Sequence, residues 1–169
     1  MKKLMRRSDW PEGESKMKIY AVIDTNVIVS ALLSRHHDSA TVKVLDYLYD
    51  RVIVPVYNSE IIEEYAAVLR RPKFNFSEET VHAVIEAIME GGIDSRRIGS
   101  NEQLPDPKDI VFYEVALANE DSFLVTGNTK HFPKKPFVVS PAEMLQIIQE
   151  MNSPKHGMLS EPSARYGKK

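Results

Sequence analysis

KIYAVIDTNVIVSAL, residues 18–32, reads as a strand that runs directly into a helix, with a carboxylate at the joint. KIYAVI, residues 18–23, is a short apolar run rich in β-branched residues and without strict alternation, the pattern of a strand buried on both faces of a parallel sheet. Residues 27–32 continue as a helix, and Asp24 stands between the two with Thr25 and Asn26 beside it. Aspartate there has two compatible readings. It caps the helix by accepting from exposed backbone N–H groups, or it presents a ligand at the mouth of a sheet.

The same alternation runs through the rest of the chain. Strands are expected at VIVPV (52–56), SFLVTG (122–127) and PFVVS (136–140), and helices at 40–49, 59–69, 77–89, 108–119 and 141–151. Ser77 followed by Glu79, and Ser140-Pro141 followed by Glu143, mark two helix starts, while Gly91-Gly92 marks an end. Strands separated by helices predict an α/β protein: a Rossmann-like, three-layer α/β/α sandwich around a central parallel sheet. In such sheets ligands gather at the carboxyl ends of the strands, here just after residues 23, 56 and 126.

Composition narrows the chemistry. With 169 residues, 43% of them hydrophobic and 27% charged, the chain suits one globular domain, expected over 17–151. Residues 1–16 and 152–169 are polar, lack apolar periodicity, and are expected to be a disordered leader and a flexible tail. There is no cysteine, so any metal would be held by oxygen or imidazole, and a reducing cytoplasm is the expected compartment. No apolar run approaches the ~20 residues that span a bilayer, so no membrane association is expected. The net charge of −2 and pI near 6.2 do not advertise nucleic-acid binding. Local basic clusters at Arg70, Arg71 and Lys73, at Arg96 and Arg97, and at Lys130, Lys134 and Lys135 could still contact phosphate, although each is more readily a solvated surface.

Three further segments carry acids or polar groups near those strand ends. In NSEIIEEYAAVLRRPKF, Ile61, Tyr65, Val68 and Leu69 define a buried helix face; Glu64 lies next to it, Glu63 turns away and Glu60 reads as a solvated first-turn acid. In LPDPKDIVFYEVALAN, Asp106 is a natural cap before Pro107, and Asp109 shares a face with Phe112, Tyr113 and Ala116, an odd place for a charge unless something binds there. VTGNTKHFP puts Thr126 and Asn128 in a polar turn just beyond a strand; the alternative is an ordinary turn. Oxygen donors at several strand ends, without a histidine or cysteine set, suit magnesium or manganese rather than zinc. Such an ion clamps phosphoryl oxygens and activates water, which is the chemistry of phosphodiester hydrolysis.

The order IDTNVIVSAL, EEYAAVL with RRPKF, DPKDIVFYEVALA and FLVTGNTKHF resembles the PIN domain, and within it the VapC-like toxin group of toxin–antitoxin systems, over nearly all of residues 18–148. The resemblance implies a divalent-metal-dependent endoribonuclease with Asp24, Glu64 and Asp109 as the catalytic acids. Asp106 would be a further metal ligand, and Asn26, Thr126 and Asn128 would support them. Members often carry another aspartate where this chain has Asn128, which lowers the negative charge of the site. The resemblance also implies an RNA substrate, a small antitoxin partner and a homodimer. Two other classes share some of these features. A phosphoacceptor receiver is disfavoured because the first strand ends in a single acid and residues 52–58 contain none. A PIN-like module that binds RNA or protein without cleaving it remains the alternative.

Overall fold

The computed structural model describes residues 17–152. The expected leader, and the expected tail beyond Asn152, lie outside the described residues. Five strands form one all-parallel sheet: β1 (Ile19–Ile23), β2 (Ile53–Tyr57), β3 (Ile93–Asp94), β4 (Phe123–Val125) and β5 (Val138–Val139), in the spatial order β3-β2-β1-β4-β5. Six helices flank it: α1 (Thr25–Leu33), α2 (Ala40–Tyr49), α3 (Ser59–Leu69), α4 (Glu78–Gly91), α5 (Ile110–Ala118) and α6 (Pro141–Met151). The expected α/β/α sandwich is therefore the observed one.

β1 is central, and Ala21, Val22 and Ile23 are sealed from solvent, which is why it shows no polar alternation. The chain lays β1, β2 and β3 in one direction across the sheet, then returns to the other side of β1 for β4 and β5. Right-handed crossovers in opposite directions put their helices on opposite faces. Accordingly α2 packs beside α4 and α6, while α5 lies across β1, β2 and β4. The reversal leaves a crevice beyond the carboxyl ends of β1 and β4, where Ile23 is in register with Val125.

Helix boundaries follow local chemistry. Ser77 accepts from the Thr80 N–H, and Ser140 with Glu143 forms a complete capping box with Pro141 at the first position. The helix expected from residue 108 instead starts at Ile110. Pro107, Lys108 and Asp109 form a tighter 3-10 turn, closed by the Asp109 N–H donating to the Asp106 carbonyl (3.0 Å).

β3 was not anticipated. It has two exposed residues, and it exists only through pairing with Val56 and Tyr57. Gly92 permits this approach: a Cβ there would come within 2.3 Å of the Pro55 carbonyl oxygen and 2.6 Å of that of Ile88. Pro55, which lacks a donor, lies one residue before β3 pairing begins.

One polar staple fastens the segment after β3. Glu114 of α5, only 5% exposed, accepts from Arg97 Nε (2.8 Å) and from the Ser100 N–H (2.6 Å), while Arg97 Nη1 reaches Glu60 of α3 (2.7 Å). Arg97 and Glu60 are thus ion-paired rather than merely solvated. Removing the guanidinium strands a buried carboxylate, so Arg97→Met is expected to cost about 2–4 kcal/mol, read as a lower midpoint in urea unfolding. An unchanged midpoint would show that the pair has no structural role.

Candidate active site

The residues just past β1 and β4 meet through their side chains. Thr126, wholly buried, donates its hydroxyl to Asp24 Oδ2 (2.8 Å) and accepts from the Asn128 N–H (3.0 Å). Asn26 donates to the same Oδ2 (3.2 Å) and accepts from the Gly127 N–H (3.0 Å). Both of these side-chain hydrogen bonds fall on one oxygen of Asp24, and the backbone N–H groups of Asn26 and Thr25 also favour its charged form. Asp24 occupies the position before α1, yet its side chain makes no capping bond. Its carboxylate belongs to the crevice and to β4.

Behind it, the fully buried Tyr65 of α3 donates to the carbonyl of Ile23 (2.5 Å), the residue immediately before Asp24. Burial, and then the Asp24 carboxylate, hold the Tyr65 phenol far above its ordinary range, so it remains a donor. Tyr65→Phe is expected to cost about 1 kcal/mol, measured by chemical denaturation.

Asp24, Glu64, Asp106 and Asp109 all line one open cleft of about 770 Å³, together with Thr25, Asn26 and Asn128. Glu64 is half-buried beside the apolar face of α3, and Glu63 is exposed. Asp109 is half-buried; Asp106 is exposed and accepts from the Lys108 N–H (3.0 Å). Thr126 does not line the cleft; it acts on Asp24 from behind.

The acids feel one another. Burial pushes the Asp24 carboxyl above the usual range, against the opposing Thr126 hydrogen bond. Asp109 is pushed up to about 6, first by burial, then by the charges of Asp24 and Asp106, with Glu64 adding to them and His131 opposing. From its ordinary value of 3.8 to about 6, the folded chain keeps a proton that the unfolded chain has lost. This group's contribution to stability therefore falls as pH rises through that window and is unfavourable above it. Asp109→Asn is expected to raise the melting temperature at pH 8 and not at pH 3.5. Equal shifts at both values would refute the electrostatic cause.

A PIN-domain family model matches residues 20–130. The chain belongs to the PIN-domain family. Among curated proteins and among solved structures there is no significant match. PIN domains are generally nucleases, and PIN nucleases typically use divalent metals.

The donors of this PIN domain fit such an ion in kind, being hard oxygens, two of which resist ionisation: Asp24 through burial, and Asp109 through burial and then the charges of Asp24 and Asp106. Thr25 Oγ1, at the head of α1, is buried without a hydrogen-bond partner among the described residues, an oxygen they leave unsatisfied. Among the described residues no three histidine, aspartate or glutamate side chains stand close enough together to hold a metal ion by themselves. Magnesium commonly needs only one or two carboxylates, with water and substrate phosphate completing its shell.

The cleft also contains residues that the sequence did not single out: Lys108, His131 and Phe74. Of the three basic clusters, only Arg71 of the first opens into it. Lys130, Lys134 and Lys135 line a separate groove of about 670 Å³ beside α6, and Arg97 is held by Glu60 and Glu114. Lys108 and His131 follow the candidate site residues Asp106 and Asn128 by two and three positions, and the 3-10 turns they sit in bring them to the cleft.

Proposed function

We propose that this PIN domain is a divalent-metal-dependent endoribonuclease. The observation that carries the reading is the convergence of Asp24, Glu64, Asp106 and Asp109 on one cleft at the reversal of strand order, with Asp109 pushed up to about 6 first by burial and then by its acidic neighbours. Such mutual repulsion is relieved by a bound cation.

Asp24, Glu64 and Asp109 would hold magnesium or manganese, with Asp106 at the edge of the set. When bound, the ion neutralises phosphoryl oxygens and makes water nucleophilic near neutral pH. The chain's own groups do the positioning. Thr126 and Asn26 fix the rotamer of Asp24, and Tyr65 fixes the backbone beneath it. Asn128 offers an amide to phosphate or water. Arg71 and Lys108 bind the flanking phosphates of the strand. Hydrolysis adds one water across the P–O bond and would leave a 5′ phosphate and a 3′ hydroxyl.

The biological setting extends the resemblance: a toxin restrained in the cytoplasm by a small antitoxin protein, acting as a homodimer. A second reading is supported by Asn128. With a neutral side chain in the cleft, a PIN domain that binds RNA or protein without turnover is the alternative.

Incubation of the purified chain with RNA separates the two. Cleavage is expected with magnesium or manganese and none in EDTA, and Asp24→Asn and Asp109→Asn should each lower the rate about 100-fold or more. Magnesium should also raise the melting temperature of the wild type, and less so that of Asp109→Asn. Cleavage indifferent to EDTA and to both substitutions would sink the proposal; saturable binding without cleavage would favour the module.

A further inference from the structure

The segment RRPKFNF, residues 70–76, builds the rim of the cleft beyond α3. Pro72–Phe74 is a 3-10 turn, tied by the Phe74 N–H to the Arg71 carbonyl (3.1 Å) and closed by Asn75 in the left-handed region (φ 56°). This turn fixes where the Phe74 ring stands. Phe74 and Phe76 stack with centroids 5.6 Å apart and planes 16° from parallel. Among the described residues Phe76 packs against the core and Phe74 does not; Phe74 instead lines the acidic cleft, half-buried. It is an aromatic ring braced from behind and left open toward the site. An ordinary core phenylalanine would be covered.

Cations surround it unevenly. Arg70 is held by Glu78, whereas among the described residues neither Arg71 nor Lys73 is in an ion pair. Arg71 lines the cleft, and the Lys73 ammonium, on an exposed stem, is 5.2 Å from the centroid of the Phe74 ring. An aromatic face flanked by free cations is the composition of a surface that stacks a base and holds its phosphate.

We propose that Phe74, braced by Phe76, is a stacking platform for one unpaired nucleobase beside the acidic cleft, with Arg71 and Lys73 taking the adjoining phosphates. The inference deepens the nuclease reading and rests on it, and it commits the substrate to single-stranded RNA. A base in a duplex is already stacked on both faces and cannot reach the ring. The incoming base displaces the Lys73 ammonium from the ring, and the flexible stem then serves the phosphate.

The test uses the full chain and a short single-stranded RNA carrying 2-aminopurine, whose fluorescence is quenched on stacking, titrated in EDTA so that no turnover intervenes. The wild type is expected to bind and quench the probe. Phe74→Ala, and Phe74→Leu, which keeps apolar volume without a π face, should bind about tenfold or more weakly and lose the quench; Phe74→Tyr should keep both. With metal added, the loss should fall chiefly on KM. If both variants bind and quench as the wild type does, the base stacks elsewhere and the proposal is overturned. Cleavage with a normal KM in Phe74→Leu removes the platform and leaves the nuclease. Quenching by a chain that never cleaves RNA removes the nuclease and leaves the platform.

Discussion

Asp24 is held in place by a hydrogen bond across the sheet, from a threonine 102 residues away, and this contact organises the rest of the cleft. It exists because β1 and β4 are neighbours in register, and they are neighbours because the chain reverses direction around β1. A carboxylate at this depth is costly to ionise, and the Thr126 hydroxyl offsets part of that cost while fixing one oxygen. Asp24 also lines the cleft, where Asp109 and Asp106 arrive on the turn that opens α5.

Net charge obscures this arrangement. Asp24, Glu64, Asp106 and Asp109 share the cleft with Arg71 and Lys108, and Lys73 stands over the Phe74 ring at its rim, none of the three cations in an ion pair among the described residues. A centre that attracts cations is therefore bordered by side chains that attract phosphate, although the chain as a whole carries −2.

Much of the architecture was legible because it is written locally. The two-sided burial of β1, the capping serines at 77 and 140, and the apolar spacing of α3 each follow from residues a few positions apart. The features that were not legible depend on distant partners. β3 has no apolar signature, since its two residues are exposed and are placed by β2 and by the room at Gly92. Arg97 reads as a surface cation until Glu114 and Glu60, 17 and 37 positions away, come to meet it. Of the site, the acids could be found from the strand ends. The elevation of Asp109 could not, because it arises from burial and then from the charges of Asp24 and Asp106, which act on it only once they share a cleft. The tight turn at Pro107 likewise overrode the expectation of a helix from residue 108.

The sheet ends on both sides in strands of two residues, β3 and β5. Exposed backbone at a sheet border is a template for further strands, and shortness is one way proteins disable it. Among the described residues each border thus offers a further strand only a short run of paired backbone to extend. A second copy of this chain, or a partner that restrains it, would have to be recognised by helix surfaces and loops, where side chains rather than main chain decide the fit. Selectivity among partners would then be encoded in residues free to vary without disturbing the sheet that positions Asp24.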